Sequence, residues 1–189
     1  MVRFLEIGCG PNRIQGFETL NIVPGPCVDY VADASKKLPF EDNSFDIIYS
    51  SHTLEHIPWY QTKNVLVEWI RVLKSGGSLE IWVPDGLKIC LAFVSDELGA
   101  TKNMIELDGW YKFNPKKDPC VWAAGRLFTY GDGTGNPNSP NWHRALFSAR
   151  YLKELFETSG LINVKEMEHK EVRGEDHGWI NLGIKGTKK

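Results

Sequence analysis

The chain has 189 residues, with 22 Lys+Arg against 24 Asp+Glu, a net charge of -2 and 42% hydrophobic residues, the composition of a globular domain that can build its own core. Near-neutral charge excludes bulk nucleic-acid binding, which needs clustered Lys and Arg to neutralise phosphates, and no apolar window approaches the roughly 20 residues that cross a bilayer. Cys9, Cys27, Cys90 and Cys120 form no C-x-x-C pair, and Glu6 falls where a secretory leader needs an apolar residue, so reduced thiols and a cytoplasmic location are expected.

In chain order, residues 3–7, 17–22, 28–32 and 45–50 are short runs rich in Val, Ile and Phe and read as strands. Residues 62–74 place Val65, Trp69, Val72 and Leu73 at helical spacing, and Ser75-Gly76-Gly77 is expected to stop that helix before a fifth strand at 79–83. The resulting βαβ unit implies a parallel sheet, whose ligands bind beyond the strand C-termini. Residues 86–147 break the rhythm with a helix near 87–98, a mixed stretch to Cys120 and a loop at 131–140. This insertion carries Trp110, Tyr111, Phe113, Trp122, Phe128, Tyr130 and Trp142, too much apolar surface to leave solvated. Ser148 is an N-cap candidate for a helix to Thr158, Gly160 its stop, and two strands follow at 162–167 and 179–185.

Glu6-Ile7-Gly8-Cys9-Gly10 ends the first strand in a G-x-G turn, where missing side chains let backbone approach a ligand. A dinucleotide fingerprint needs a small residue where Arg13 stands, and a Walker loop needs a G-K-[ST] that is absent. The Glu6 carboxylate would repel a pyrophosphate but suits an ammonium group.

With Leu5-Glu-Ile-Gly-Cys-Gly-Pro11, Val31-Ala-Asp-Ala34, Leu38-Pro-Phe40, the stretch 44–56 ending His52-Thr-Leu-Glu-His56, and Leu73-Lys-Ser-Gly-Gly-Ser-Leu79 leading to Val83-Pro-Asp85, the sequence resembles the class I S-adenosylmethionine-dependent methyltransferases. It is most similar to the small bacterial type associated with surface-polysaccharide gene clusters. The resemblance implies an α/β, Rossmann-like fold with a mostly parallel sheet of order 3-2-1-4-5-7-6, a single domain over 1–189, and residues 86–147 inserted after the fifth strand as an acceptor-side lid. It implies methyl transfer from S-adenosylmethionine, giving S-adenosylhomocysteine, to a small-molecule or glycan acceptor at oxygen. By the same similarity Glu6, Gly8, Cys9 and Gly10 hold the methionine part, Asp33 and Ala34 meet the adenine, and Ser50, Ser51 and His52 flank the sulfonium.

Three departures stand out. Asn21 occupies the place of the acidic ribose ligand and loses a charge-assisted bond. Residues 11–16 leave too little chain for a crossover helix, and no helices precede the first strand. An open cofactor edge, or a partner or second copy covering it, is the expected result. His52 and His143 are the candidate catalytic bases, since a neutral imidazole can take a hydroxyl proton without a permanent cation beside the sulfonium. His52-Thr-Leu-Glu55-His56 also fits the H-x-x-E-H zinc pattern, but no local pattern supplies a third ligand, so no metal is assigned. A zinc hydrolase and a cofactor-binding protein of the same fold without turnover are the rival readings.

Overall fold

In a computed structural model, which describes residues 2–100, 104–110, 113–128, 136 and 139–189, seven strands form one sheet in the order β3-β2-β1-β4-β5-β7-β6. These are β1 (Phe4–Ile7), β2 (Phe17–Asn21), β3 (Tyr30–Val31), β4 (Phe45–Ser51), β5 (Leu73–Pro84), β6 (Leu161–Glu166) and β7 (Asn181–Lys188). β7 runs against both its neighbours and the other pairs are parallel, the expected class I methyltransferase topology. Among the described residues no helix is long and apolar enough to cross a membrane.

Helices α1 (Thr62–Val72) and α5 (Ala149–Thr158) cover one face of the sheet. Leu5, Ile7, Leu20, Ile48, Leu79, Ile81 and Ile184 meet Val65, Leu66, Trp69, Leu152 and Phe156 there in a continuous buried core. The alternate residues of the same strands point the other way, as the period of 2 requires. On that second face Phe17, Tyr49 and Trp82 pack with Phe4, Ile14, Ile47, Met167 and Val172, while Glu6 and Glu80 are buried charges. Its cover consists of the 8–16 crossover and the 167–180 connection between β6 and β7. Arg173 from that connection forks onto Glu80 at 2.6 and 3.0 Å, and its backbone N–H donates to the Tyr49 hydroxyl.

The crossover from β1 to β2 has no helix, as its length dictates. Arg13, where a nucleotide loop would have a small residue, instead forks onto Asp29 at 2.7 and 2.8 Å and so ties the crossover to the turn before β3. Because Asp29 is engaged there and by Thr19, β3 pairs over two residues instead of the expected 28–32.

α1 ends at Val72, not at the glycines, because Leu73 is already extended and pairs with Phe45. Residues 74–77 bulge out of the ladder before pairing resumes at Ser78 with Ile47. Gly77 is required at this bulge: a Cβ there would lie 2.9 Å from the Asp46 carbonyl oxygen. The last strand starts two residues later than expected, after a 3-10 turn at Gly178–Ile180.

In the insertion, α2 (Gly86–Glu97) matches the expected helix, and α3 (Met104–Asp108) and α4 (Pro119–Phe128) organise the mixed stretch. Ile89, Ala92, Ile105, Trp122 and Ala123 form a second cluster that includes Ile180 and packs against Trp110 and Trp179. Trp122 donates its indole N–H to Asp108 at 2.8 Å, which also holds Arg126. Tyr111, Tyr130 and most of the 131–140 loop lie outside the described residues. Ser148 caps α5 by accepting from the Tyr151 amide, and Gly160 follows that helix at φ +100°.

Candidate active site

The carboxyl ends of β1, β2 and β4 open onto two cavities that meet at Gly8. One, of about 640 Å³, is lined by Glu6, Gly8, Gly10, Arg13, Tyr49, Ser51, His52, Arg173 and His177, among others. The other, of about 330 Å³, is lined by Gly8, Asn21, Asp33, Ala34, Thr53, His56 and Arg144, with further loop residues. An elongated ligand draped across the glycine turn would occupy both.

Gly8 is fixed as glycine twice over. Its φ is +80°, and an added Cβ would fall 1.8 Å from Thr53 Oγ1. Gly10 differs: among the described residues no atom outside its own neighbours lies within 4 Å of where its Cβ would be, which leaves space above it for a ligand. Glu6, 6% exposed, has a carboxylate oxygen, Oε2, with no hydrogen-bond partner among the described residues. Burial pushes its pKa up to about 7, against smaller opposing pulls from the Ile14 amide and Arg13. A buried carboxylate in this state fits an ammonium-bearing ligand, since the cation would relieve the desolvation. The methionine end of S-adenosylmethionine carries such a group.

The other sequence-derived positions divide. Ser51 lines the larger cavity. Asp33 and Ala34 line the smaller one, with the Asp33 carboxylate accepting from the Ser35 amide and hydroxyl. Asn21 also lies there, but its amide donates to the Cys9 carbonyl at 2.8 Å and accepts from the Val23 amide, bracing the glycine turn. Cys9 is buried beneath the turn, its thiol pushed up by desolvation, and contributes backbone. Ser50 faces the helix-covered side and donates to the Ile7 carbonyl at 3.0 Å, tying β4 to β1, and lines neither cavity. Asp85 caps α2 through the Leu87 and Lys88 amides.

Beyond β4 the chain turns through His52, at φ +50°, into the 3-10 turn Leu54–His56. Four of the five histidines gather here. His52 lies 3.3 Å from Glu55 through Nδ1 and 2.8 Å from the Asn181 Oδ1 through Nε2, and the Asn181 amide is oriented by its own donation to Asp176. Nε2–H therefore donates to Asn181, and Nδ1 faces the Glu55 carboxylate as a charge contact. Burial lowers the His52 pKa, but Glu55 overrides this and leaves it raised, which favours the imidazolium over the neutral imidazole expected from sequence. His177 lies against it with ring centroids 3.9 Å apart and the planes tilted by 40°, and burial, then the His52 charge, lowers its pKa. His143 is also driven down, to about 4, chiefly by burial. A third cavity, of about 190 Å³, lies between His52, Pro84, Arg126, His143, His177 and Ile180.

Thr53, Tyr49, Arg173 and His177 were not singled out in the sequence. Thr53 sits inside the recognised motif, whereas Arg173 and His177 come from a connection with no motif of its own.

A sheet of this order with a glycine turn at the end of its first strand is the fold of class I S-adenosylmethionine-dependent methyltransferases. Residues 11–81 match the family model described as a methyltransferase domain. The chain is 28% identical over 165 residues to demethylmenaquinone methyltransferase of Staphylococcus aureus strain JH9, covering 85% of this chain and 54% of that one, so it spans about half the length of the curated relatives it matches. A methyltransferase from Thermotoga maritima has the same fold at 21% identity and a TM-score of 0.53, covering 99% of this chain and 82% of that one. A Burkholderia thailandensis 1,6-didemethyltoxoflavin-N1-methyltransferase, solved with S-adenosylhomocysteine, aligns at 14% identity and a TM-score of 0.56, over 98% of this chain and 70% of the other. The family model and these relatives have a methyltransferase domain in common.

Proposed function

We propose that the protein transfers a methyl group from S-adenosylmethionine to a hydroxyl of a small-molecule or glycan acceptor. The observation that carries this reading is Glu6, a buried carboxylate with an unpartnered oxygen beside the open Gly8–Gly10 turn. In this reading the methionine end lies over Glu6, Gly8, Cys9 and Gly10, the adenosine lies in the smaller cavity by Asn21, Asp33 and Ala34, and Ser51 and His52 face the sulfonium between them. The acceptor enters the 190 Å³ cavity, with the insertion as its lid. Methyl transfer is an in-line displacement, so the chain's main contribution is to hold the two reactants aligned and dry. His52 and His143 form the wall against the acceptor, and His177, neutral and shared by two cavities, takes the hydroxyl proton.

Gly10→Val tests the cofactor placement, because the added Cβ has no atom of the described residues within 4 Å and projects into the space this reading gives to the cofactor. The variant should melt like the native protein but lose stabilisation by S-adenosylhomocysteine; retained stabilisation refutes the placement. For the acceptor side, radiolabelled methyl transfer is measured over a panel of acceptors. His177→Gln should lower turnover by roughly 10²-fold with cofactor affinity unchanged. If His52→Gln has that effect and His177→Gln has none, the proton goes to His52.

A further inference from the structure

We infer that Glu55, His56 and His143 form a binding site for a divalent transition-metal ion, held by two imidazoles and one carboxylate. One ligand atom from each of these residues lies within 4.8 Å of the others. The sequence alone offered His52, Glu55 and His56, because His143 arrives from the far side of the insertion. The fold brings it in through backbone: the Arg144 and Ala145 amides both donate to the Glu55 carbonyl, at 2.7 and 3.1 Å. The 142–145 segment is thereby strapped onto the 3-10 turn that carries the other two groups.

Two features favour a metal over a hydrogen-bonded cluster. The first is Glu55 itself, 1% exposed, whose carboxylate oxygens accept no hydrogen bond among the described residues; its one charged contact is the 3.3 Å approach of His52 Nδ1. That contact is to Oε1, so Oε2 is left with no donor among the described residues, and a buried carboxylate oxygen in that state is a defect unless a further cation completes it. The second is the disposition of the rings. His56 Nδ1 lies 3.3 Å from the Trp142 carbonyl oxygen and His143 Nδ1 2.9 Å from that of Arg126. Donation from each Nδ1–H to a backbone carbonyl fixes the tautomer and makes Nε2 the nitrogen that can bind a metal, the pattern of hydrogen bonding that orients metal-bound histidines. His52, lying against Glu55, then stands as the outer partner of the carboxylate ligand. Two nitrogens and one oxygen suit zinc, cobalt or iron in the divalent state better than calcium or magnesium, which prefer all-oxygen sites. Three protein ligands leave at least one coordination position for water or a bound oxygen, as in metal sites that act on a substrate.

The site is tested without cofactor, so its failure is distinct from failure of the methyltransferase reading. Tag-free protein is stripped with chelator and titrated with Co²⁺, following the visible ligand-field bands, then challenged with Zn²⁺. One equivalent of Co²⁺ with the bands of a low-coordinate site, displaced by one equivalent of Zn²⁺, is expected. His56→Gln and His143→Gln should each weaken binding by more than about 100-fold, beyond the loss usual for an outer-sphere partner, while His169→Gln, which changes the histidine outside the cluster, should bind as the native chain does. Near-ultraviolet circular dichroism verifies the fold of each variant. Should a variant unfold, the native protein decides alone: Zn²⁺ must raise its melting temperature at one equivalent. No stoichiometric uptake by the native protein, or native-like uptake by both folded variants, overturns the site.

Discussion

The two faces of the sheet are built on opposite terms. The face under α1 and α5 is lined by aliphatic and aromatic side chains that interlock with amphipathic helices, and burial of that surface is its whole role. The opposite face carries Glu6, Thr19, Tyr49, Glu80 and Trp82 under loops instead of helices; Glu80 is satisfied by one partner reaching from far along the chain, while Glu6 keeps an oxygen with none among the described residues. One face holds the strands in place so that the other can keep polar groups poised and accessible. Substitutions on the two faces should therefore separate stability from ligand binding.

The largest effect is expected on the helix-covered side. Trp69 is fully buried and donates its indole N–H to the Ala34 carbonyl at 3.0 Å, linking α1 to the loop after β3. Trp69→Ala should cost about 3–5 kcal/mol in denaturant unfolding. A loss below about 1 kcal/mol would show that this face is not the stabilising one.

On the polar side, Arg173→Ala strips the buried Glu80 of its forked partner. Because Arg173 is itself 37% exposed, the loss should fall below the full buried-pair range, at about 2 kcal/mol. Adding Glu80→Gln should restore part of that loss, and failure of the rescue would assign Arg173 a packing role.

Glu6 sharpens the contrast, because there stability and binding should move in opposite directions. Its pKa of about 7 in the folded protein lies above the ordinary 4.5, so the native state holds its proton more tightly than the unfolded chain does. Stability without ligand should then fall as pH rises from about 4.5 to 7, by about 3 kcal/mol in total, and stay low above that window. Glu6→Gln should abolish the fall and melt higher than the native protein at pH 8. The same variant should bind S-adenosylmethionine roughly 10 to 100-fold more weakly, the worth of a charged hydrogen bond, and native affinity should rise with pH through 7. A pH-independent melting curve for the native protein would sink this assignment.

Asn21→Asp should be the mildest. A carboxylate cannot donate to the Cys9 carbonyl, so the glycine turn loses a brace worth about 1 kcal/mol and cofactor binding weakens with it. Tighter binding in calorimetry would mean that the side chain swings to the ribose.

The sheet was legible because its strands are short apolar runs punctuated by glycine and polar turns, and the motifs around Gly8 and His52 mark the ends of two of them. α4 was missed although its start was readable: Asp118 accepts from the Cys120 and Val121 amides, and Pro119 occupies the first helical position, a combination that signals a helix start. The aromatic residues on either side obscured it. Illegible from the sequence were the charges that set the histidines. Glu55 reads as an ordinary turn residue until burial makes it the counter-ion of His52, and His143 and His177 reach the same place from 87 and more positions away, with no spacing rule to join them. Asn21 was legible as a departure from the family, but only its bond to Cys9 shows the structural work it performs.

The 167–180 connection also sets an order of events during synthesis. His52 is held by Asn181, 129 positions later, and Glu80 by Arg173, 93 positions later. At about 5 to 20 residues per second, the ribosome needs roughly 6 to 25 s between making His52 and making the residue that fixes its ring. Until then the polar face of the nascent sheet lies bare, and the strands that precede β6 can stack against α1 without any competent site. The polar face thus closes only when the hairpin of β6 and β7 has been made.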